Sequence, residues 1–153
     1  MRSRIQAVVL PSEPGEFRDD IRRIFQELDR AGQELPAGEC APPLDVFETD
    51  GAVEIAMDLP GVPAGAVRVV ARGQMVLIAG IKAPRRTRGE SSFHLVERGY
   101  GRFARVIRLA SACDTSQARA TMSDGELRVS VPRLADRRGR SIRIAIADGS
   151  PSS

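Results

Sequence analysis

The stretch Ala120-Thr-Met-Ser-Asp-Gly-Glu-Leu-Arg-Val-Ser-Val-Pro132 constrains the fold more than any other part of the chain. Asp124-Gly125 is a hairpin turn signal, because glycine accepts the positive φ that a tight connection between twisted strands requires. After the turn, Leu127, Val129 and Val131 alternate with Arg128 and Ser130, so one strand face is apolar and the other wet. Before it, Ala118, Ala120 and Met122 alternate with Arg119 and Thr121. The small residues there leave room for another layer. Pro132 ends the second strand, having no N–H for a ladder.

Upstream the chain reads as further short strands. Leu44-Asp-Val-Phe-Glu48 runs into the turn Thr49-Asp-Gly51, and Val53, Ile55, Met57 and Leu59 alternate with Glu54, Ala56 and Asp58. Pro60-Gly61 breaks that strand. Val67 to Arg72 is the next strand, turned at Arg72-Gly-Gln74, and Met75 to Ile81 is a more fully apolar one. Lys82 to Ser92 is a loop with Pro84, Gly89 and four basic residues; Phe93 to Glu97 is expected as a short strand and Phe103 to Leu109 as a longer one. Strands about ten residues apart with turns between them point to an antiparallel β-sandwich. Between residues 44 and 132 no stretch carries a helical stripe of ten residues, which argues against α/β architectures.

Only one segment has helical spacing. Phe17, Ile21, Ile24, Phe25 and Leu28 fall on one face of a helix expected over 17–31, with Asp19 and Asp20 early, Arg30 late and Gly32 as the C-cap. No second helix offers to bury that stripe, so it must pack on the β domain, on another subunit or on a client surface. Residues 33–43, ending Pro42-Pro43, read as a linker. The chain therefore divides into an N-terminal arm (1–43), a β domain (44–132) and a C-terminal extension (133–153).

Composition excludes several classes. In 153 residues there is room for one domain plus tails, and 42% hydrophobic with 28% charged residues is ordinary for a globular protein. No run approaches the roughly 20 apolar residues of a membrane span, and Ile5 to Leu10 is too short for a signal peptide, so a membrane partner is not expected. Cys40 and Cys113 lie far apart and read as free thiols of a cytoplasmic protein. With one histidine, His94, a Cys/His metal site is not expected, and nothing else implies a cofactor.

The charge is basic but uneven. Residues 1–43 carry six Arg against eight acids, whereas 82–108 carry eight Arg or Lys against two. Twenty-two of the 23 basic residues are Arg, spread along the whole chain, which reads as composition rather than as a phosphate site. Arg98-Gly-Tyr-Gly-Arg-Phe103 looks like the start of an aromatic RNA-binding signature, yet Arg102 and Arg105 stand where that signature needs rings. Specific nucleic-acid binding is not expected. Nor is catalysis: there is no phosphate-cradling Gly-rich loop, no paired-His motif and no nucleophile elbow, and His94 has no Ser or Cys partner pattern.

After the charged segment Arg133 to Arg140, Ser141-Ile-Arg-Ile-Ala-Ile146 alternates again. It reads either as a last strand of the domain or as a detachable strand for a groove or sheet edge.

Taken together, these motifs resemble the small heat shock proteins and their α-crystallin domain. Ala120, Gly125 and Leu127 followed by Val-Ser-Val-Pro132 match the family's hairpin signature, Pro43-Leu-Asp-Val-Phe-Glu48 and Leu59-Pro-Gly-Val62 its opening strands, and Glu97 to Leu109 its central strand. Ile142-Arg-Ile144 resembles the family's C-terminal I-x-I motif, with Ile144-Ala-Ile146 overlapping it. Leu109-Ala110 departs from the family's usual Leu-Pro, and the 82–92 loop is richer in Arg. The resemblance implies an all-β, immunoglobulin-like antiparallel sandwich with a helical N-terminal arm and an extended C-terminal tail. It implies an ATP-independent holdase of bacterial type that keeps partly unfolded clients refoldable for ATP-dependent chaperones. It implies homo-oligomers of dimers, with Ile142, Ile144 and Ile146 entering a neighbour's groove lined by Val67, Val69, Ala118, Ala120 and Met122. Phe93, His94, Leu95, Arg98, Tyr100, Arg105 and Arg108 are then expected at the dimer interface, and Phe17, Ile21, Ile24, Phe25 and Leu28 against clients. The alternatives are a monomeric sandwich adaptor and, more weakly, nucleic-acid binding through the Arg-rich 82–108 region.

Overall fold

A computed structural model describes residues 14–84, 89–134, 141 and 143–149. Among the described residues seven strands build two antiparallel sheets: β1 (Leu44–Glu48), β2 (Ala52–Asp58), β3 (Val67–Arg72), β4 (Met75–Lys82), β5 (Gly101–Arg108), β6 (Arg119–Ser123) and β7 (Glu126–Pro132). One sheet has the order β1-β2-β7-β6 and the other β3-β4-β5. The chain is a β-sandwich.

The alternation read from the sequence sets each strand's inner face. Val53, Ile55 and Met57 of β2 and Leu127, Val129 and Val131 of β7 are buried, and their registers place Ile55 opposite Val129 and Met57 opposite Leu127. From the other sheet Val67, Val76, Ile78, Phe103 and Ile107 complete the core. Gly80 leaves room for its neighbours in the same sheet, Val67 and Phe103: a Cβ there would stand 2.5 Å from the Ala66 carbonyl oxygen and 2.9 Å from Cζ of Phe103. The β6–β7 turn is the one the sequence announced. Asp124 (φ 52°) and Gly125 (φ 75°) both take positive φ, the two-residue turn whose twist matches the strands.

β4 differs from every other strand in being buried on both faces, from Val76 to Ile81. Its inward residues join the sandwich core. Its outward residues Leu77, Ala79 and Ile81 form a second cluster with the helix α1 (Arg18–Arg30). A 3₁₀ turn at Pro14–Phe17 leads into α1. Phe17, Ile24 and Leu28 are buried, with Ile21 and Phe25 at the margin. The helix ends as its sequence prescribes: Gly32 takes φ 81° and donates to Asp29 O, while Gln33 N donates to Leu28 O, both at 3.0 Å. Of the three surfaces open to this stripe, the β domain is the one it occupies.

The linker is also ordered on the domain. Arg102 N donates to Gly38 O and Cys40 N donates to Arg102 O, both at 2.9 Å, so the linker lies along the β5 edge. Gly101, at φ 137°, makes this approach possible, since a Cβ there would meet Gly38 O at 2.5 Å.

Two expected strands are not strands. Residues 91–97 are exposed coil: a strand needs a ladder partner, and among the described residues none pairs with them. The described residues of 141–149 are likewise exposed and outside both sheets, so this segment is not a last strand of the domain. Ile142 lies outside the described residues.

Candidate functional site

β3 and β6 are edge strands of different sheets, so one side of the sandwich is bounded by two edges with no strand beside them among the described residues. Between them lies a cavity of about 250 Å³ lined by Ala64, Val67, Arg68, Val69, Ala120, Thr121, Met122 and Leu127. The local sequence explains its shape. A 3₁₀ turn at Ala64–Ala66 carries the chain into β3 with only methyl side chains. Asp114 caps the turn Thr115–Gln117, its Oδ1 accepting from Ser116 N at 3.1 Å, and β6 then presents Ala120 and Met122 toward the opening.

Four of the five residues expected for a groove, Val67, Val69, Ala120 and Met122, line this one cavity. Ala118 is half-buried and packs at the margin of the core. Arg68 and Thr121 also line it, and sequence reasoning did not select them. Arg68 Nη1 donates to Gly65 O at 2.9 Å and to Val67 O at 3.0 Å, which holds the guanidinium at the rim. That role depends on the turn before β3, which alternation does not reveal. Chemically, the cavity offers an apolar floor and two unpaired strand edges, suited to an extended segment with alternate aliphatic side chains.

The tail and loop residues stand in solvent. Ile144 is 84% exposed and Ile146 97%. Phe93 and Leu95 are 69% and 74% exposed, and His94 is exposed beside them. The other residues expected at a dimer interface have these surroundings: Arg98 lies over the Tyr100 ring at 5.5 Å, Arg105 Nη1 donates to Pro42 O at 3.0 Å, and Arg108 is exposed opposite Met75. Phe17, Ile24 and Leu28, expected against clients, are covered by the chain's own sheet in this structure.

Cys40 and Cys113 are both free, and burial pushes each thiol's pKa up. Lys82 works against that shift at Cys40; at Cys113 Glu48 adds to it and Arg133 opposes it. Among the described residues no group of three His, Cys, Asp or Glu side chains is placed to hold a metal ion, and no helix is long and apolar enough to cross a membrane.

With this geometry in hand, comparison decides the family. The sequence profile described as the Hsp20/alpha crystallin family matches residues 45–147. The chain belongs to this family. It is 32% identical to the 21.9 kDa heat shock protein of Oryza sativa subsp. japonica over 161 residues, covering 94% of this chain and 78% of that protein. It is 27% identical to small heat shock protein C4 of Rickettsia felis over 105 residues, covering 69% of this chain and 64% of that one. Among solved structures, the small heat-shock protein of Xylella fastidiosa, described as having a distinct high order structure, superposes with a TM-score of 0.57. That match has 27% identity and covers 71% of this chain and all of the other. A small heat shock protein is a chaperone of the stress response, and the sandwich here is the family's α-crystallin fold.

Proposed function

We propose that this small heat shock protein is an ATP-independent holdase that works as a homo-oligomer of dimers. The observation that carries the reading is an unfilled complementarity. An apolar groove with free strand edges stands open, while Ile144 and Ile146 stand in water on a segment outside both sheets. One copy's tail, Ile142 included, fills the groove of another. Each buried Ile contributes about 1.5–3 kcal/mol before ordering costs. Single contacts then exchange readily while many together hold.

A second exposed pair supports the dimer. Phe93, Leu95 and Val96 are exposed and have no ladder partner among the described residues, and β1 is an edge strand whose Val46 and Phe47 are exposed. Phe93–Val96 of one copy pairs with the β1 edge of another. His94, Arg98, Tyr100, Arg105 and Arg108 surround that contact.

Clients are partly unfolded proteins, captured through apolar surface in the cytoplasm and passed to ATP-dependent chaperones. Two unpaired thiols fit a reducing compartment. The roles divide among arm, domain and extension: the domain dimerises, the extension bridges and the arm meets clients once α1 leaves the sheet that covers its apolar stripe.

Within 82–108, Arg98 and Arg102 lie over the chain's own rings and Arg105 donates to Pro42 O, which weighs against a nucleic-acid surface there; Arg85, Arg86 and Arg88 lie outside the described residues.

The test is suppression of light scattering from a heated client such as citrate synthase, without ATP. Equimolar subunits should suppress most of it. No suppression contradicts the reading, and a monomeric mass alongside would favour an adaptor instead.

A further inference from the structure

We propose that the outer face of the β3-β4-β5 sheet is a second capture surface, distinct from the groove, which α1 masks in the resting chain. Its partner is an amphipathic segment of a partly unfolded protein carrying an apolar stripe and acidic residues. This rests on the holdase reading for its biology, but not for its test.

The surface is already shown with an occupant of that chemistry. Leu77, Ala79 and Ile81 of β4 lie under Phe17, Ile24 and Leu28. Three arginines ring this strip. Arg72 Nη2 donates to Asp20 Oδ2 at 2.7 Å, and its guanidinium lies 5.9 Å from the Phe17 ring centroid. Arg68 Nε is 3.7 Å from Glu27 Oε2. Arg102 lies 5.7 Å from the Phe25 centroid. A basic rim around an aliphatic floor selects an acidic amphipathic segment over a basic one.

Two features make α1 a removable cover. Its cluster is separate from the core between the sheets, so lifting the helix leaves Val53, Ile55, Val129 and the rest of that core intact. Its tether is short: residues 31–37 join the helix to Gly38, which is fixed on Arg102. The helix therefore remains beside the surface at high effective concentration and recloses unless something competes. An external segment binds with an apparent affinity reduced by the fraction of chains that are open.

The experiment uses the full-length chain and a fluorescein-labelled peptide with the sequence of residues 14–33. Asp20→Asn loosens the cover without touching the sheet, and Leu28→Ala does so from the apolar side. Leu28→Ala should bind the peptide at least tenfold more tightly than the parent chain by fluorescence anisotropy, and Asp20→Asn about threefold, the scale of a solvent-screened pair. A peptide with Asn and Gln in place of Asp20 and Glu27 should lose most of that gain. A benzoylphenylalanine at Val106, half-buried on the same face, should crosslink the unsubstituted peptide far more strongly in the Leu28→Ala chain than in the parent. Equal peptide affinity in all three chains, or tight binding without crosslinking at Val106, overturns the proposal. If no chain suppresses client aggregation, the holdase reading fails while the peptide result still decides the masked surface. If suppression is normal but peptide affinity does not change, only this inference fails.

Discussion

Asp20 on helix α1 and Arg72 at the end of β3 are joined at 2.7 Å, with the carboxylate largely shielded and the guanidinium more than half exposed. This pair ties the arm to a sheet 52 positions further along the chain. Because Arg72 faces water, the bond contributes little by itself. The apolar contact beneath it, Leu28 and Ile24 on Leu77 and Ile81, supplies most of the docking.

The separation of the two apolar clusters gives a first prediction. Leu28→Ala and Ile55→Ala each empty a fully buried site, with an expected local cost of about 2–5 kcal/mol. In Leu28→Ala, amide exchange should accelerate through α1 and the outward residues of β4 while β2 and β7 stay protected. In Ile55→Ala the whole sandwich should lose protection together. Uniform loss of protection in Leu28→Ala would mean that arm and domain fold as one unit.

The β6–β7 turn gives a second. Gly125 has φ 75°, a Cβ there would lie 3.1 Å from Pro60 Cα, and its carbonyl accepts from Leu59 N at 2.7 Å. Gly125→Ala should therefore cost about 1–2 kcal/mol, read as a lower urea midpoint with an unchanged slope. Asp124→Asn, at a φ that Asn tolerates, should stay within about 0.5 kcal/mol of the parent.

The thiols give a pH prediction. Both have pKa values raised by burial above the ordinary 9.0, so the folded chain holds these protons more tightly than the unfolded one. Their contribution to stability is complete below the ordinary value and is lost as pH rises through the raised one. Cys40→Ser with Cys113→Ala should flatten the fall in urea midpoint above about pH 9. An identical pH profile in the variant would show that the thiols are not responsible. Disulfide-exchange reagents should also react more slowly with Cys113, which is 2% exposed, than with Cys40.

What the sequence revealed and what it hid have one cause. Alternation at Val53-Ile55-Met57 and Leu127-Val129-Val131, with the Asp124-Gly125 turn between strands, is local and survives into the structure unchanged. The helix was legible by its spacing, and its docking face was not, because Leu77-Ile78-Ala79 is apolar throughout and hides which residues look outward. The groove residues were expected from the family resemblance, and of them Val67, Val69, Ala120 and Met122 line the cavity, whereas Arg68 entered only through a turn whose backbone places it there. Phe93 to Glu97 and the described residues of 141–146 carry strand-like sequence without a ladder partner among the described residues, and propensity alone does not make a ladder.

The proposed bridging of subunits through the groove is tested most directly by native mass from size-exclusion light scattering of Ala120→Trp. Ala120 is exposed in the single chain, so the larger ring occupies the cavity that the tail requires without entering the core. The parent should elute as an assembly of many subunits, and Ala120→Trp as dimers, with a thermal midpoint within a few degrees of the parent. Ile142→Ala with Ile144→Ala should give the same small species from the other side of the contact. An unchanged mass in Ala120→Trp, or unfolding of its sandwich, would contradict the assignment of this groove to assembly.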